Sequence, residues 1–212
     1  MARMIGPVCK LCRREGAKLY LKGERCYTER CSFDRRPYPP GQHGKGRVKV
    51  SEYGKRLREK QKVRRIYGVL EAQFRRTFDH AAAAKGVTGE RLLQLLESRL
   101  DSVVFRMGLA VTRADARQLA RHGHVRVNGR RVNIPSFIVK PGSTISLVPG
   151  DAEKERVKKA IEVARSRDRA PWIELAADGT SAVFKAPPDR RDLEAIQPIE
   201  IDEHLIVEFY SR

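Results

Sequence analysis

Four cysteines are the first residues whose type and spacing could do chemistry. They stand as Cys9-x2-Cys12, then 13 residues, then Cys26-x4-Cys31. Two thiol pairs either side of a short loop suit a closed tetrahedral site, a structural Zn2+ held by all four thiolates. The second pair is wider than in a repeat of x2 pairs, and four thiolates equally suit an iron–sulfur cluster. Four unliganded thiols in a loop are the plain alternative. Lys10, Arg13, Arg14, Lys22, Arg25 and Arg30 surround the pairs and would offset thiolate charge. A closed site has no position for a catalytic water, so such a metal would staple the arm around it.

The second constellation is cationic. Arg113, Arg117 and Arg121 recur every four residues, on one face of a helix, and His122, His124, Arg126, Arg130 and Arg131 follow directly. Between residues 102 and 150 the only acid is Asp115. A solvated charged face normally mixes signs, so this one reads as a phosphate-binding surface. Lys55, Arg58, Lys62 and Arg65 form another basic stripe at helical spacing. Arg35, Arg36, Tyr38, Gln42 and His43 lie on a Pro- and Gly-rich basic arm, where Tyr38 and His43 can stack on unpaired nucleotides.

Catalytic signatures are missing. The chain has no Gly-x-Ser-x-Gly, Walker phosphate loop, His-Glu-x-x-His or Gly-x-Gly-x-x-Gly. His122 and His124 have no carboxylate or thiol close by in sequence, which favours backbone or RNA contact over general-base work. Asp202-Glu203 reads as a solvated turn. No catalytic residue, and no enzyme, is expected.

The balance of charge narrows the partners. The 212 residues carry a net +18, and 41% of them are hydrophobic. Residues 1–150 hold 33 basic and 12 acidic residues, whereas residues 151–212 hold 11 and 14. A surface this basic repels itself unless a polyanion neutralises it, nucleic acid first and an anionic membrane surface second. No run of 18 apolar residues exists to form a spanning helix. Met1 to Pro7 lacks the apolar stretch of a secretory signal, so the cytoplasm is the expected compartment. Disulfides are disfavoured there.

The elements that must position these residues are legible in outline. Residues 1–47 read as an extended arm without a core of its own. Residues 48–97 read as three helices: one begun by Ser51 and stopped by Gly68, a second burying Phe74, Phe78 and Ala82 and ended by Gly86, and a third begun by Thr88. Residues 98–148 read as two helices followed by strands. Ser98–Asp101 and Thr112–Asp115 are capping boxes, and Asn128-Gly129 is a two-residue hairpin turn. A charged helix over 151–167 and a hairpin around Asp178-Gly179 follow, and His204 to Tyr210 alternates weakly like a strand. The fold class is α+β: a metal-stapled N-terminal arm, a small helical domain (48–97, with the tail 190–212 packing on it), and a module at 98–189 of helices on a small antiparallel sheet.

The residues now become recognisable. The segment Ser98 to Leu147 resembles the alpha-L RNA-binding motif, carried by Arg99-Leu100-Asp101, Thr112-Arg113-Ala114-Asp115-Ala116-Arg117-Gln118-Leu119 and His122-Gly123-His124-Val125-Arg126-Val127-Asn128-Gly129. Arg36-Pro37-Tyr38-Pro39-Pro40-Gly41-Gln42-His43-Gly44, Arg56-Leu57-Arg58-Glu59-Lys60-Gln61-Lys62, Thr88-Gly89-Glu90 and Ile206-Val207-Glu208-Phe209-Tyr210-Ser211-Arg212 resemble the bacterial small-subunit ribosomal protein four family. The likeness covers nearly the whole chain and is loosest from Asp151 to Asp189. It implies a primary binder of 16S rRNA that nucleates assembly of the 30S body. It also implies contact with ribosomal protein five and other 30S proteins, an influence on translational accuracy, and a place near mRNA where it enters the subunit. Some members repress their own mRNA. Some carry metal-binding cysteines, and Cys9, Cys12, Cys26 and Cys31 place this chain among them. No membrane and no small-molecule substrate is implied.

Two other functions compete. An RNA-modifying enzyme with an alpha-L module, such as a pseudouridine synthase, needs a catalytic domain that the short acidic tail is too small to supply. A redox regulator needs cysteines that cycle.

Overall fold

The computed structural model describes residue 4 and residues 6–46, 49–196 and 198–211. Most of the Met1 to Pro7 leader reading, the arm boundary at Arg47 and the closing Arg212 therefore lie outside the described residues. The chain divides into two compact units, Met1–Leu92 with Ile199–Arg212, and Leu93–Pro198.

The first unit opens with α1 (Val8–Glu15), a 3-10 turn (Gly23–Tyr27) and the short α2 (Ser32–Arg35). Next come α3 (Glu52–Ile66), α4 (Glu71–Ala83) and the start of α5 (Thr88–Glu97). Ser51 caps α3, its hydroxyl accepting from the Gly54 amide at 3.1 Å. Gly68, at φ +64°, ends it, its amide bonding Arg65 and the Val69 amide bonding Arg64. That paired closure needs a left-handed residue, which glycine supplies without strain. Along α4, Phe74, Phe78 and Ala81 are buried. Ala82 is exposed, so the apolar face ends one position earlier than the sequence suggests.

The arm has more structure than expected. Leu19 is 3% exposed, so the first 47 residues do bury apolar surface. The stretch after Pro40 is also not extended: the Gly44 amide reaches Gly41 and the Gly46 amide reaches His43, making consecutive turns. A Cβ on Gly44 would stand 2.0 Å from the Pro39 carbonyl oxygen, so the fold admits only glycine there.

The second unit holds the end of α5 and then α6 (Leu100–Arg106), α7 (Arg113–Arg121), β1 (Val125–Val127), β2 (Arg130–Arg131), β3 (Ser143–Leu147), α8 (Glu155–Ala164), β4 (Ile173–Leu175), β5 (Ser181–Phe184) and α9 (Arg190–Ile196). The five strands form one antiparallel sheet, ordered β2-β1-β3-β5-β4. Asn128 (φ +50°) and Gly129 (φ +77°) both adopt left-handed backbone, the signature of the tight turn that their sequence predicts. Leu100, Val103, Val104, Val125, Ile145 and Phe184 are wholly buried.

Two local readings fail. Ser98 does not cap α6: its hydroxyl donates back to the Gln94 carbonyl at 2.7 Å, while Asp101 binds Arg99 instead. The C-terminal segment is not a strand. It is α10 (Glu203–Tyr210), which packs on α3 in the first unit. The Asp202 carboxylate caps it by accepting the His204 and Leu205 amides. Glu203 is 3% exposed rather than solvated, and a Cβ on Gly89 would collide with its side chain. Gly89 is the residue that lets Glu203 approach α5.

Candidate nucleic-acid interface

The cation-rich face of the second unit is built by α7 and the β1–β2 hairpin. Thr112 caps α7, its hydroxyl accepting the Asp115 amide at 3.2 Å. The three arginines of the α7 stripe then part ways. Arg113 bonds Glu97 at 3.1 Å, with its guanidinium 4.7 Å from the Phe105 ring centroid. Arg117 bonds Asp101 at 3.1 Å. Glu97 and Asp101 are almost wholly buried, and each takes a second, two-pronged partner, Arg106 and Arg99 respectively. The acids missing from residues 102–150 thus come from just before them. Arg113 and Arg117 fasten α7 to the module, and only Arg121 of the three is fully exposed.

The hairpin is different. Val125 and Val127 point into the core, so Arg126 between them faces out. Arg126 pairs across the ladder with Arg131. Two like charges directly opposite each other destabilise a sheet unless an anion sits over them. Gly123 (φ +73°) keeps the backbone low enough for the Arg131 stem, since a Cβ there would lie 3.1 Å from Arg131 Cδ. Among the described residues, Arg121, His122, Arg126, Arg130 and Arg131 form no ion pair. His122 stacks on His124 at 6.2 Å. His124 does have a carboxylate partner, supplied by tertiary structure: its Nδ1 lies 2.8 Å from Asp151. Hydrogen bonds from Lys154 first, and then His124, hold the Asp151 carboxyl below its ordinary range.

In the first unit the α3 stripe is largely engaged. Arg58 (3.4 Å) and Arg65 both reach Glu15, whose side chain is 1% exposed. Burial pushes the Glu15 carboxyl up despite the opposing Arg65 and Arg58 charges. Lys62 bonds Glu59 and the Glu200 carbonyl, and Lys55 pairs with Glu52 on the surface. On the arm, Arg35, Arg36, Gln42 and His43 are exposed. Tyr38 is half-buried, with Arg13 and Lys45 each within 5.3 Å of its ring and Arg13 Nε donating to its carbonyl at 3.0 Å. Sequence spacing identified these cations but not their acids, which lie up to 50 residues away.

Three of the four cysteines, Cys12, Cys26 and Cys31, are 7–8% exposed and Cys9 is half-buried; none is in a disulfide. They are gathered closely enough to influence one another. Burial pushes the Cys12 thiol up, and Cys26, Cys9 and Cys31 push it further. Cys26 is raised likewise, by burial and then by Cys31 and Cys9. Among the described residues no group of three or more Cys, His, Asp or Glu side chains reaches metal-ligand geometry. The donor set suits a thiolate-bound ion in chemistry, but the described geometry gathers no metal-binding group, and a staple is not shown. Contacts within the arm and to α3 include Glu15 with Arg58 and Arg65, the Lys18–Asp34 pair at 2.6 Å, and the Tyr20–Tyr27 ring contact at 4.9 Å.

A capped helix feeding a hairpin whose outward arginines lack acids, on a small antiparallel sheet, defines a module of the polyanion-binding class. Comparison with known proteins gives the class a family. Residues 98–145 match the S4 domain, and residues 3–97 match the ribosomal protein S4/S9 N-terminal domain. The chain is 58% identical over 212 residues to small ribosomal subunit protein uS4 of Pelotomaculum thermopropionicum, covering the whole of both. It is 54% identical over 213 residues to that of Thermus thermophilus, and 55% identical over 212 residues to that of an Anaeromyxobacter strain, again over full length. The chain belongs to the uS4 family of small ribosomal subunit proteins.

Proposed function

We propose that this chain is a structural protein of the cytoplasmic small ribosomal subunit that binds 16S rRNA through backbone contacts. The observation that carries the reading is the surface of Arg121, Arg126, Arg130 and Arg131 on the S4 domain, none of which forms an ion pair among the described residues. Folded RNA is recognised largely by shape, sugar and phosphate, for which arginine is suited by its planar, multiply donating head. Exposed Arg35, Arg36 and His43 give the first unit a polar, basic surface of its own. As a ribosomal family member the chain is structural rather than catalytic, which disposes of the RNA-modifying alternative.

Finer parts of the reading rest on the family. The chain nucleates assembly of the 30S body, touches ribosomal protein five and influences decoding accuracy, lies near incoming mRNA, and in some members represses its own message. Cys9, Cys12, Cys26 and Cys31 hold one structural Zn2+, or an iron–sulfur cluster in the same place. Three buried thiols and a half-buried fourth at Cys-x2-Cys and Cys-x4-Cys spacing support this. When bound, the metal would supply cross-linking of α1 to the turn and α2, and no reaction chemistry.

The test is co-sedimentation with small subunits after a high-salt wash, paired with binding of purified chain to 16S rRNA. Retention in the subunit and tight, salt-sensitive rRNA binding are expected. A chain that ignores 16S rRNA overturns the proposal. Metal content and absorbance of anaerobically prepared protein separate zinc from iron–sulfur and from free thiols.

A further inference from the structure

Two histidines sit side by side on the cationic face of the second unit, and the fold treats them differently. His124 Nδ1 lies 2.8 Å from a carboxylate oxygen of Asp151, whose other oxygen takes Lys154 at 2.7 Å. A carboxylate only accepts, so Nδ1 carries a hydrogen whether the His124 ring is neutral or charged. His122 is exposed, and among the described residues its ring makes no hydrogen bond and no ion pair. It lies nearly parallel to the His124 ring, the centroids 6.2 Å apart and the planes 22° apart. The charged groups around it come from three elements. Arg121 precedes it at the end of α7. The hairpin supplies His124, Arg126 and Arg131, and the Arg131 stem passes beside Gly123. The loop before α8 supplies Asp151 and Lys154, already engaged with His124 and with each other. Asp115, the acid of α7, stands in its first turn at the opposite end and holds Arg156 of α8.

A proton on His122 therefore meets cations and no acid of its own. An imidazole in such a place responds most to an arriving anion. Histidine ordinarily titrates at about pH 6.5, close enough to neutrality for one neighbouring charge to change its state. A phosphate that settles against Arg121, Arg126 and Arg131 brings the negative charge that His122 lacks, and so favours its charged form. His124 already has a carboxylate, so the same phosphate adds less to it. By reciprocity, a proton on His122 tightens the phosphate as much as the phosphate tightens the proton. The arginines cannot contribute to this dependence, because a guanidinium is charged at every pH in question.

We propose that His122 takes up a proton as the chain binds an RNA phosphate, which makes the grip of the S4 domain on RNA tighter at lower pH, while His124, tethered to Asp151, does not carry that dependence. This rests on the RNA-binding reading above and names the residue through which that surface responds to pH.

The test measures binding of full-length chain to 16S rRNA across a pH series at fixed salt, for wild type, His122→Gln and Asp151→Asn. His122 is exposed, so His122→Gln should fold, and fluorescence of the buried Trp172 checks each variant. His43, His80 and His204 lie in the first unit and titrate in all three proteins, as does the RNA, so the comparison with His122→Gln isolates one side chain. An opposite charge within about 4–6 Å moves a titration by about one to three units, and exposure keeps His122 at the low end. Affinity should therefore rise about 10-fold more in wild type than in His122→Gln between about pH 8 and about pH 5.5. Asp151→Asn should keep that excess. Calorimetry at about pH 7 in buffers of different ionisation enthalpy should show wild type taking up more protons on binding than His122→Gln does. Equal pH slopes and equal proton uptake in wild type and His122→Gln overturn the proposal. So does an excess that survives in His122→Gln or disappears in Asp151→Asn, which would make His124 the responding group. Tight rRNA binding with either result sinks the role of His122 alone, whereas no rRNA binding at any pH sinks the RNA-binding reading itself.

Discussion

Replacing Glu97 with Gln should unfold the second unit at far lower denaturant while leaving its shape intact when folded. Glu97 is wholly buried, takes Arg106 at 2.7 and 3.0 Å and Arg113 at 3.1 Å, and is the centre on which both guanidinium groups converge. Arg106 and Arg113 side chains are only 8% and 18% exposed, so water cannot replace the lost charge. Removing one member of a buried ionic cluster costs about 3–5 kcal/mol, because the remaining charges stay desolvated. With a urea slope of about 2 kcal/mol/M, the midpoint should drop by about 1.5–2.5 M. The chain provides its own reporter. Trp172, the single tryptophan, is 3% exposed in the second unit with Arg106 lying 5.6 Å from its ring. Its fluorescence follows that unit alone. A midpoint shift under about 0.3 M would refute the idea that Glu97 neutralises otherwise stranded arginines.

Binding to 16S rRNA should weaken by roughly 10³–10⁵ between 50 and 200 mM salt if six to ten phosphates are contacted, and Arg126→Ala with Arg131→Ala should lower the logarithmic salt slope by about 1 each; filter binding over a salt series measures both. Cys9→Ser with Cys12→Ser should lower bound metal and loosen residues 8–35 in hydrogen exchange, yet leave the Trp172 unfolding transition where it is. Below about pH 4 the second unit should lose the part of its stability that Asp151 supplies, since a carboxyl held low in the folded state binds protons more readily when unfolded. Asp151→Asn should therefore flatten that acid limb in a urea-midpoint series, while stability near neutrality falls by a constant amount.

Much of this protein was legible from local pattern. The Asn128-Gly129 turn, the Ser51 and Thr112 caps, the Gly68 stop and the hairpin around Asp178-Gly179 depend on residues within a few positions of each other, where short-range geometry dominates. The strand reading of His204 to Tyr210 failed because its apolar, partly β-branched residues favour a strand locally; an Asp202 cap and packing on α3 outweigh that preference. Ser98 failed because its hydroxyl had a nearer acceptor one turn back.

The amino-acid order alone settled the positive balance, the paired thiols, the central helices, the hairpin turns and the membership of the family, all properties carried by composition or by short spacings. Tertiary structure alone decided which cations remain available. Spacing puts Arg113, Arg117 and Arg121 on one face, but only folding brings Glu97 and Asp101 against the first two and leaves the third to solvent. Likewise Arg58 and Arg65 meet Glu15 from a distant helix. Charge is a property of a residue, whereas free charge is a property of its surroundings, and those are assembled by long-range packing.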